Sequence, residues 1–479
     1  GRMDFAKKIY DHSPIWLENF MVSIQGLVFN HRRWDVKLGR SLLAELRESQ
    51  WWTKEHFQDY QKKKLRERMK LAATHVPYYQ ELFRKEGIDY RTIRCVEDLH
   101  KIPFVEKNQV LSRPNDFLSG GKPVGRWNKF FTSGTSGSPM TVYCSKESFT
   151  RIWSFVFRLR EWAGLKDPIF PKRVQLTGRD IVPARKIGET RIYWRRNVPG
   201  KAMLMSTTHL SQGTVPAYIE AIKRFMPVLI DSYPSAILIL ARVGKALGLD
   251  LPEPKAIITS AETLFTDDKL EIGSAFGCKV FNQYASTDTG AFISACEHGN
   301  LHINPEFGIC EIVNAEGMPV APGEEGEVVA TTFCNSELVL MRYRIGDRVV
   351  RGPVDTCPCG RDMDRVEEIT GRLDDILFIP DRGFVGRLDP VFKGLTGIYE
   401  TQIIHESLNT LKLLLVPGSG YDDQIETHLV RNLRKKVGES VSVIVEKVTA
   451  IPRGPNGKFR SVISKCKDQY PTFSGRESA

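Results

Sequence analysis

A chain of 479 residues, 41% hydrophobic and 26% charged, is too long for one core of ordinary size and too apolar for a disordered chain, so it implies a globular protein of two or more domains. Its net charge of +11 comes from 68 Lys and Arg scattered among 57 Asp and Glu, a diffuse excess that suits a small anion such as ATP and gives no reason to invoke nucleic acid. No apolar run reaches the roughly 20 residues of a membrane span, no signal-peptide pattern is present, and an odd nine cysteines fit a reducing, cytoplasmic setting with thiol or metal roles.

In chain order, Ile15 to Phe29 is fairly apolar, interrupted by Glu18, Asn19 and Gln25 and followed by His31-Arg32-Arg33-Trp34; it reads as an amphipathic packing helix in preference to an interfacial membrane anchor. From Leu42 to about Lys85 the pattern is helical and highly charged, with Trp51, Trp52, Phe57 and Tyr60 on one side, and Val76-Pro77-Tyr78-Tyr79 breaks it. Leu99 to Pro103 turns toward the first sheet. Trp127 to Phe131 and Met140 to Tyr143 then read as two strands joined by Thr132-Ser133-Gly134-Thr135-Ser136-Gly137-Ser138-Pro139. Glycines there let the backbone approach an anion, while N–H groups and hydroxyls donate to phosphate oxygens. The same composition also describes an ordinary mobile turn, and this is not the G-x-x-x-x-G-K-[ST] loop, because no Lys follows the second glycine and a proline closes it.

Downstream, Lys146 to Trp162 reads as a helix and Arg173 to Arg179 as a short strand ending in a polar turn, where Arg179 is either a carboxylate or phosphate contact or a surface residue. His209 precedes a helix from Val215 to Phe225 and is read as a capping or core residue. Strand and helix signals then alternate: a strand from Val228, a helix to about Leu247, a strand at Ala256 to Thr259, a helix at Asp267 to Phe276 and a strand at Val280 to Gln283. Such alternation implies an α/β domain with a largely parallel sheet, whose ligands bind beyond the carboxyl ends of the strands, near Ser232, Glu262 and Tyr284.

Five further constellations carry chemistry. Asn282-Gln283-Tyr284-Ala285-Ser286-Thr287-Asp288 ends a strand with an aromatic face suited to adenine and a carboxylate suited to magnesium. Met341-Arg342-Tyr343-Arg344-Ile345-Gly346-Asp347 presents Asp347 at a glycine turn, where it can accept both hydroxyls of a ribose. Gly371-Arg372-Leu373-Asp374-Asp375 reads as a hinge, and Ile451 to Arg460 as a glycine-rich loop presenting Lys458. Between these, Cys357-Pro358-Cys359-Gly360 is a C-x-C knuckle, with Cys296, His298 and His302 upstream. Cys296, His302, Cys357 and Cys359 suit tetrahedral zinc, His302 being preferred to His298 because the longer offset from Cys296 leaves the backbone room to turn. Reduced buried cysteines are the alternative, since the spacing is not that of a standard finger; Cys278, Cys310 and Cys334 read as core. After the hinge, Phe378 to Ala450 reads as a small α+β unit, with strands at Leu411 to Val416 and Val441 to Val445 around a helix at Asp422 to Val437.

The ordered set T-S-G-T-S-G-S-P, Y-A-S-T-D, Y-R-I-G-D, G-R-L-D-D and P-N-G-K resembles the adenylate-forming superfamily of acyl-CoA synthetases, luciferases and peptide-synthetase adenylation domains. The phenylacetate–CoA ligase-like branch, and within it the CapK group, is the most similar. The resemblance implies a large, multi-subdomain adenylation core over 1–371, opening with a mainly helical segment over 1–100, and a mobile lid over 372–479. It implies that Thr132, Ser133, Gly134, Thr135, Ser136 and Gly137 grip the ATP phosphates and that Tyr284 stacks on adenine. Thr287 would touch the α-phosphate, Asp288 would hold Mg2+, and Asp347 would bind ribose. Arg372 would contact the nucleotide near the hinge, Glu262 would lie near it, and Lys458 would bridge the substrate carboxylate and the α-phosphate. The implied reaction activates a small carboxylic acid as an acyl-adenylate and passes it to a second nucleophile, CoA thiol above all; an amine, hydroxyl or nitrite acceptor, or a non-catalytic nucleotide-binding role, are the alternatives. Two positions depart from the family pattern: Ser138 replaces its usual lysine and Asp288 its usual glutamate.

Overall fold

The computed structural model describes residues 8–132, 140–177, 181–183, 192–207, 209–210, 213–262, 264, 266–286, 288, 290–370, 377–385, 388, 391, 398–417, 421–448, 462–466 and 469–470. Helices α1 (Ile15–Arg33), α2 (Val36–Ser49), α3 (Lys54–His75) and α4 (Pro77–Glu86) come first. The stretch from Leu42 to Lys85, expected to break only at Val76, also breaks at Trp51-Trp52, because the Thr53 side chain accepts the His56 N–H and starts a new helix. Pro77 at the first position of α4 makes the expected second break. The turn expected at Leu99 is a short 3-10 segment, Val96–Lys101.

Helix α1 corrects the expectation of an ordinary packing helix. The side chains it turns inward are Glu18 and Val22, while Trp16, Phe20, Ile24 and Leu27 face outward. Glu18 pairs with Arg195, and both side chains are fully buried. Among the described residues no helix is long and apolar enough to cross a membrane.

After α5 (Lys107–Ser112), β1 (Asn128–Phe131) and β2 (Thr141–Cys144) form the expected antiparallel hairpin, with Phe131 opposite Thr141. Helix α6 (Lys146–Trp162) follows, and then a twelve-stranded sheet is assembled. Its strands are β3 (Arg173–Thr177), β4 (Trp194–Asn197), β5 (Ala202–Ser206), β6 (Leu229–Ser232), β7 (Ala256–Ser260), β8 (Lys279–Ala285), β9 (Phe292–Ala295), β10 (Leu301–Ile303), β11 (Gly308–Val313), β12 (Glu325–Thr332), β13 (Tyr343–Arg351) and β14 (Arg365–Ile369), in the order β11-β12-β13-β14-β10-β9-β8-β7-β6-β3-β5-β4. The run β5-β3-β6-β7-β8 is parallel, as the alternation implies, with α7 (Val215–Phe225), α8 (Pro234–Ala246) and α9 (Thr266–Phe276) as its crossovers. Beyond β8 the sheet is antiparallel, so "largely parallel" holds for one half only. Among the described residues no helix separates β8 to β14; successive strands pair antiparallel except β10 and β11, since β10 lies between β9 and β14 while β11 takes the edge.

Ile257, Ile230, Val174 and the apolar residues of α7 and α8 form one core, while Tyr79, Phe117, Ile258, Ile293 and Met341 belong to another. A third core gathers Leu377, Ile403, Leu413, Leu429 and Val462. It belongs to β15 (Leu377–Ile379), β16 (Gly383–Val385) and a four-stranded sheet of β17 (Ile398–Ser407), β18 (Thr410–Pro417), β19 (Ser442–Lys447) and β20 (Val462–Ser464), packed with α10 (Asp423–Val437). The small α+β unit read from the sequence is therefore present.

Candidate functional site

Of the nucleotide-binding candidates that are described, Thr132, Glu262, Tyr284 and Asp288 lie at or just beyond strand ends, and Asp347 lies within β13. Thr132 closes the base of the β1–β2 hairpin: its N–H donates to the Met140 carbonyl at 2.9 Å, and its Oγ1 accepts the Met140 N–H at 2.9 Å. Ser133, Gly134, Thr135, Ser136, Gly137 and Ser138, expected to form the phosphate grip, lie outside the described residues, as do Arg179, Thr287, Arg372 and Lys458. At the end of β7 the chain turns through Ala261, whose φ of 72° is strained for a residue with a Cβ, and then presents the half-buried Glu262.

Tyr284 and Asp347 are brought together, though 63 residues separate them in sequence: the tyrosine hydroxyl donates to Asp347 Oδ2 at 2.7 Å. A bulge makes this possible. Glu327 pairs with Arg348 but Val329 with Arg344, so Ile345-Gly346-Asp347 is displaced from the regular β12–β13 ladder, and Gly346 takes the left-handed φ of 83° that the bend needs. Asp288 lies in the turn after β8, 6% exposed, with its carboxylate accepting the Gly290 N–H at 3.4 Å. Ser286 Oγ accepts the same N–H at 3.0 Å. A Cβ on Gly290 would come 2.8 Å from Ile345, so the Asp288 turn sits directly against the bulge that carries Asp347. An aromatic ring, an acid and a buried carboxylate thus converge where the turn after β8 meets the β13 bulge.

Ser232 and His209, both singled out in the sequence, have local contacts of their own. Ser232 is buried, its hydroxyl donating to the Tyr233 carbonyl at 2.9 Å. His209 stacks on Tyr193 with centroids 5.3 Å apart and meets Ser206 Oγ at 3.0 Å, in keeping with the expected core or capping role.

The second constellation is complete among the described residues. Cys296, His302, Cys357 and Cys359 are all buried, and their ligand atoms lie within 4.8 Å of one another. The Cys296 and Cys357 sulfurs are 3.9 Å apart, and Cys359 Sγ is 3.3 Å from His302 Nε2. A disulfide would require about 2.05 Å, whereas zinc–sulfur and zinc–nitrogen bonds of usual length put ligand atoms about 3.6–3.8 Å apart on a tetrahedron. Two tight turns set this geometry. Gly299 N–H bonds to the Cys296 carbonyl, Gly360 N–H bonds to the Cys357 carbonyl, and both glycines have positive φ, 84° and 80°. His302 comes from the central strand β10, which fixes its ring independently of the two turns.

The members of the cluster sit in different electrostatic surroundings. Burial pushes His302 down to about 4, so its imidazole is neutral and can act as a ligand. Burial pushes the Cys296 thiol up to about 12. Burial also acts to raise Cys357, but hydrogen bonds from the Cys359 backbone and from the Cys359, Cys296 and Asn300 side chains outweigh it and lower that thiol. Sequence reasoning missed Asn300, whose Nδ2 donates to Cys357 Sγ at 3.2 Å; its place one residue after the knuckle glycine was the available signal. It also missed Gln50, which accepts from both Trp162 Nε1 (2.7 Å) and Arg361 Nε (3.1 Å) and so joins the knuckles to α2 and α6. Cys334 is buried and Cys278 and Cys310 half-buried, as core residues; burial pushes each thiol up to about 12.

The chain is similar to known proteins over most of its length. Residues 377–465 match the CapK C-terminal domain family. The chain is 27% identical over 473 residues to Protein CapK of Staphylococcus aureus, covering 96% of this chain and 99% of that protein. It is 26% identical to a phenylacetate-coenzyme A ligase of Pseudomonas putida, covering 87% of this chain and 88% of the relative. Among solved structures, 2-hydroxyisobutyryl-CoA ligase in the postadenylation state, in complex with R3-HIB-AMP, shares the fold with a TM-score of 0.55 at 17% identity, covering 88% of this chain and 92% of that one.

Proposed function

As a member of the adenylate-forming superfamily, in the phenylacetate–CoA ligase-like branch beside CapK, this chain is, we propose, an ATP-dependent, AMP-forming ligase that activates a small carboxylic acid and transfers it to CoA. The observation that supports this reading is the contact between Tyr284 and Asp347, because it brings two separate sequence motifs side by side next to the Asp288 turn.

In the proposed reaction, the acid's carboxylate oxygen attacks the α-phosphorus of ATP and pyrophosphate leaves with the electron pair of the broken P–O bond. The acceptor thiolate then attacks the acyl carbon and AMP leaves. Tyr284 would hold adenine against its ring, Asp347 would accept the ribose hydroxyls, and Thr132 to Gly137 would donate to the terminal phosphates. Thr287 and Arg372 would touch the α-phosphate side of the nucleotide, with Glu262 near it. Asp288 would hold the magnesium ion whose charge offsets the repulsion between triphosphate and carboxylate. Lys458, carried by the lid, would stabilise charge that develops between the two anions as the bond forms. Rotation about Asp374 or Asp375 would then withdraw it and admit the acceptor. Cys296, His302, Cys357 and Cys359 would hold a structural zinc.

Isotope exchange between pyrophosphate and ATP, run over a panel of carboxylic acids, tests the first half-reaction. We expect exchange that depends on one class of acid, and AMP release that then depends on CoA. ATP binding without exchange for any acid would leave a nucleotide-binding protein and sink the ligase reading. Exchange followed by transfer only to an amine, hydroxyl or nitrite would keep the adenylation and replace the acceptor.

A further inference from the structure

Helix α1 is amphipathic in an inverted sense. Several of its polar side chains face the protein: Glu18 is paired with the fully buried Arg195, and Asn19 Oδ1 accepts the Arg196 N–H at 2.8 Å. Ser23 Oγ accepts the Val198 N–H at 3.1 Å, and Gly26 fits against Asn197 where a Cβ would collide with the side chain. Arg195, Arg196 and Asn197 belong to β4, the last strand of the large sheet, so α1 covers an otherwise open edge with side-chain hydrogen bonds. Its apolar residues are left outside. Trp16 is 69% exposed, Phe20 59%, Ile24 45%, Leu27 49% and Val28 48%, and the adjoining Val198 is 71% exposed. At a turn of about 100° per residue these helical positions share one face, with an arc of roughly 120°.

We propose that α1 is an in-plane membrane-surface helix that docks the protein on an anionic bilayer. The chemistry favours lipid over a second copy of the chain. Glu18 is the single acid of α1 and is buried in its ion pair, so the outer surface of the helix carries no carboxylate. Its exposed charges are basic: Arg32 near its end, with Lys8 ahead of it and Arg196 beside it. Two such faces brought together would set cations against cations, whereas phospholipid headgroups supply the missing anions. Aromatic and aliphatic residues on one side with basic residues at the margin is the composition that settles at the headgroup–acyl boundary. The polar inner face is already consumed by β4, so the helix can enter the interface without leaving the fold.

Flotation of the whole protein with vesicles tests the proposal. Vesicles of phosphatidylcholine containing about one-third phosphatidylglycerol should carry the protein, pure phosphatidylcholine should carry much less, and high salt should weaken the anionic binding. Phe20→Ser with Leu27→Ser should lower the bound fraction at least about tenfold while leaving pyrophosphate exchange and the melting temperature unchanged, because both sites are exposed. Arg32→Glu provides a second variant should the double substitution fold poorly, and it should act on anionic vesicles selectively. Absence of flotation, or flotation unaffected by these variants, overturns the proposal. A wild-type dimer that the double variant splits, with no vesicle binding, would assign the face to a second copy and overturn it as well.

Discussion

Asp288 shows how two residue-scale effects compete. Its side chain is one methylene shorter than the glutamate usual in the family, so on reach alone Asp288→Glu would improve direct contact with magnesium. The packing argues the other way: Asp288 is 6% exposed, its carboxylate accepts the Gly290 N–H, and Gly290 leaves no space beside Ile345. Overpacking of such a turn costs about 1–3 kcal/mol, enough to outweigh a gain in reach. We therefore expect Asp288→Glu to keep its magnesium requirement but lose pyrophosphate-exchange activity several-fold, and Asp288→Asn to lose about a hundredfold because the cation is then poorly held. Exchange rates titrated against Mg2+ for the three proteins decide this, and an Asn variant equal to the parent would remove Asp288 from the site. Tyr284 and Asp347 were legible as candidates from their motifs. Their hydrogen bond was not, because it depends on a bulge in β13 that the sequence marks only by Gly346.

Periodicity made most helices and the parallel half of the sheet legible, since helices that cross over between buried strands leave a clear alternation of signals. It could not show which side of α1 faces inward, because a one-sided run of apolar residues marks a face without naming what that face meets. Here the inward choice is fixed by Glu18, whose removal tests it. Glu18→Gln would leave Arg195, whose side chain is fully buried, without its charged partner, and we expect a loss of about 3–5 kcal/mol in denaturant unfolding. Replacing both residues with apolar ones should recover much of that loss. The Cys/His cluster is a second tie between elements, joining the turn after β9, strand β10 and the loop between β13 and β14. Its four residues were legible as one set from the sequence, but their distances were not, because the fold alone brings the two knuckles together. Protein purified without chelator should contain about one zinc per chain by metal analysis, and Cys357→Ser should lose the metal and lower the melting temperature. Metal-free protein with unchanged stability would leave reduced core cysteines as the explanation.

At the scale of the whole molecule, the core that starts at Leu377 is separate from those that end before it, which is the arrangement a movable lid needs. The segment carrying Lys458 leads into β20, which pairs in parallel with β17, Val462 opposite Ile403. At β20 itself, Ser464 Oγ lies 2.7 Å from the Tyr470 hydroxyl, which in turn lies 2.9 Å from His405 Nδ1 on β17. In the proposed reaction Lys458 serves one step and is withdrawn for the next, so its removal should divide the two half-reactions. Lys458→Ala should lower acyl-adenylate formation by about 10²–10³, the size of losing one donor aimed at developing charge, while ATP binding changes little because the ground state does not use that contact. Supplied with preformed acyl-adenylate, the same variant should still transfer the acyl group to CoA at close to the parent rate. Equal loss in both steps would mean that Lys458 supports the fold of the lid and not the chemistry. Unimpaired adenylation would mean that the charge on the two anions is offset elsewhere in the site.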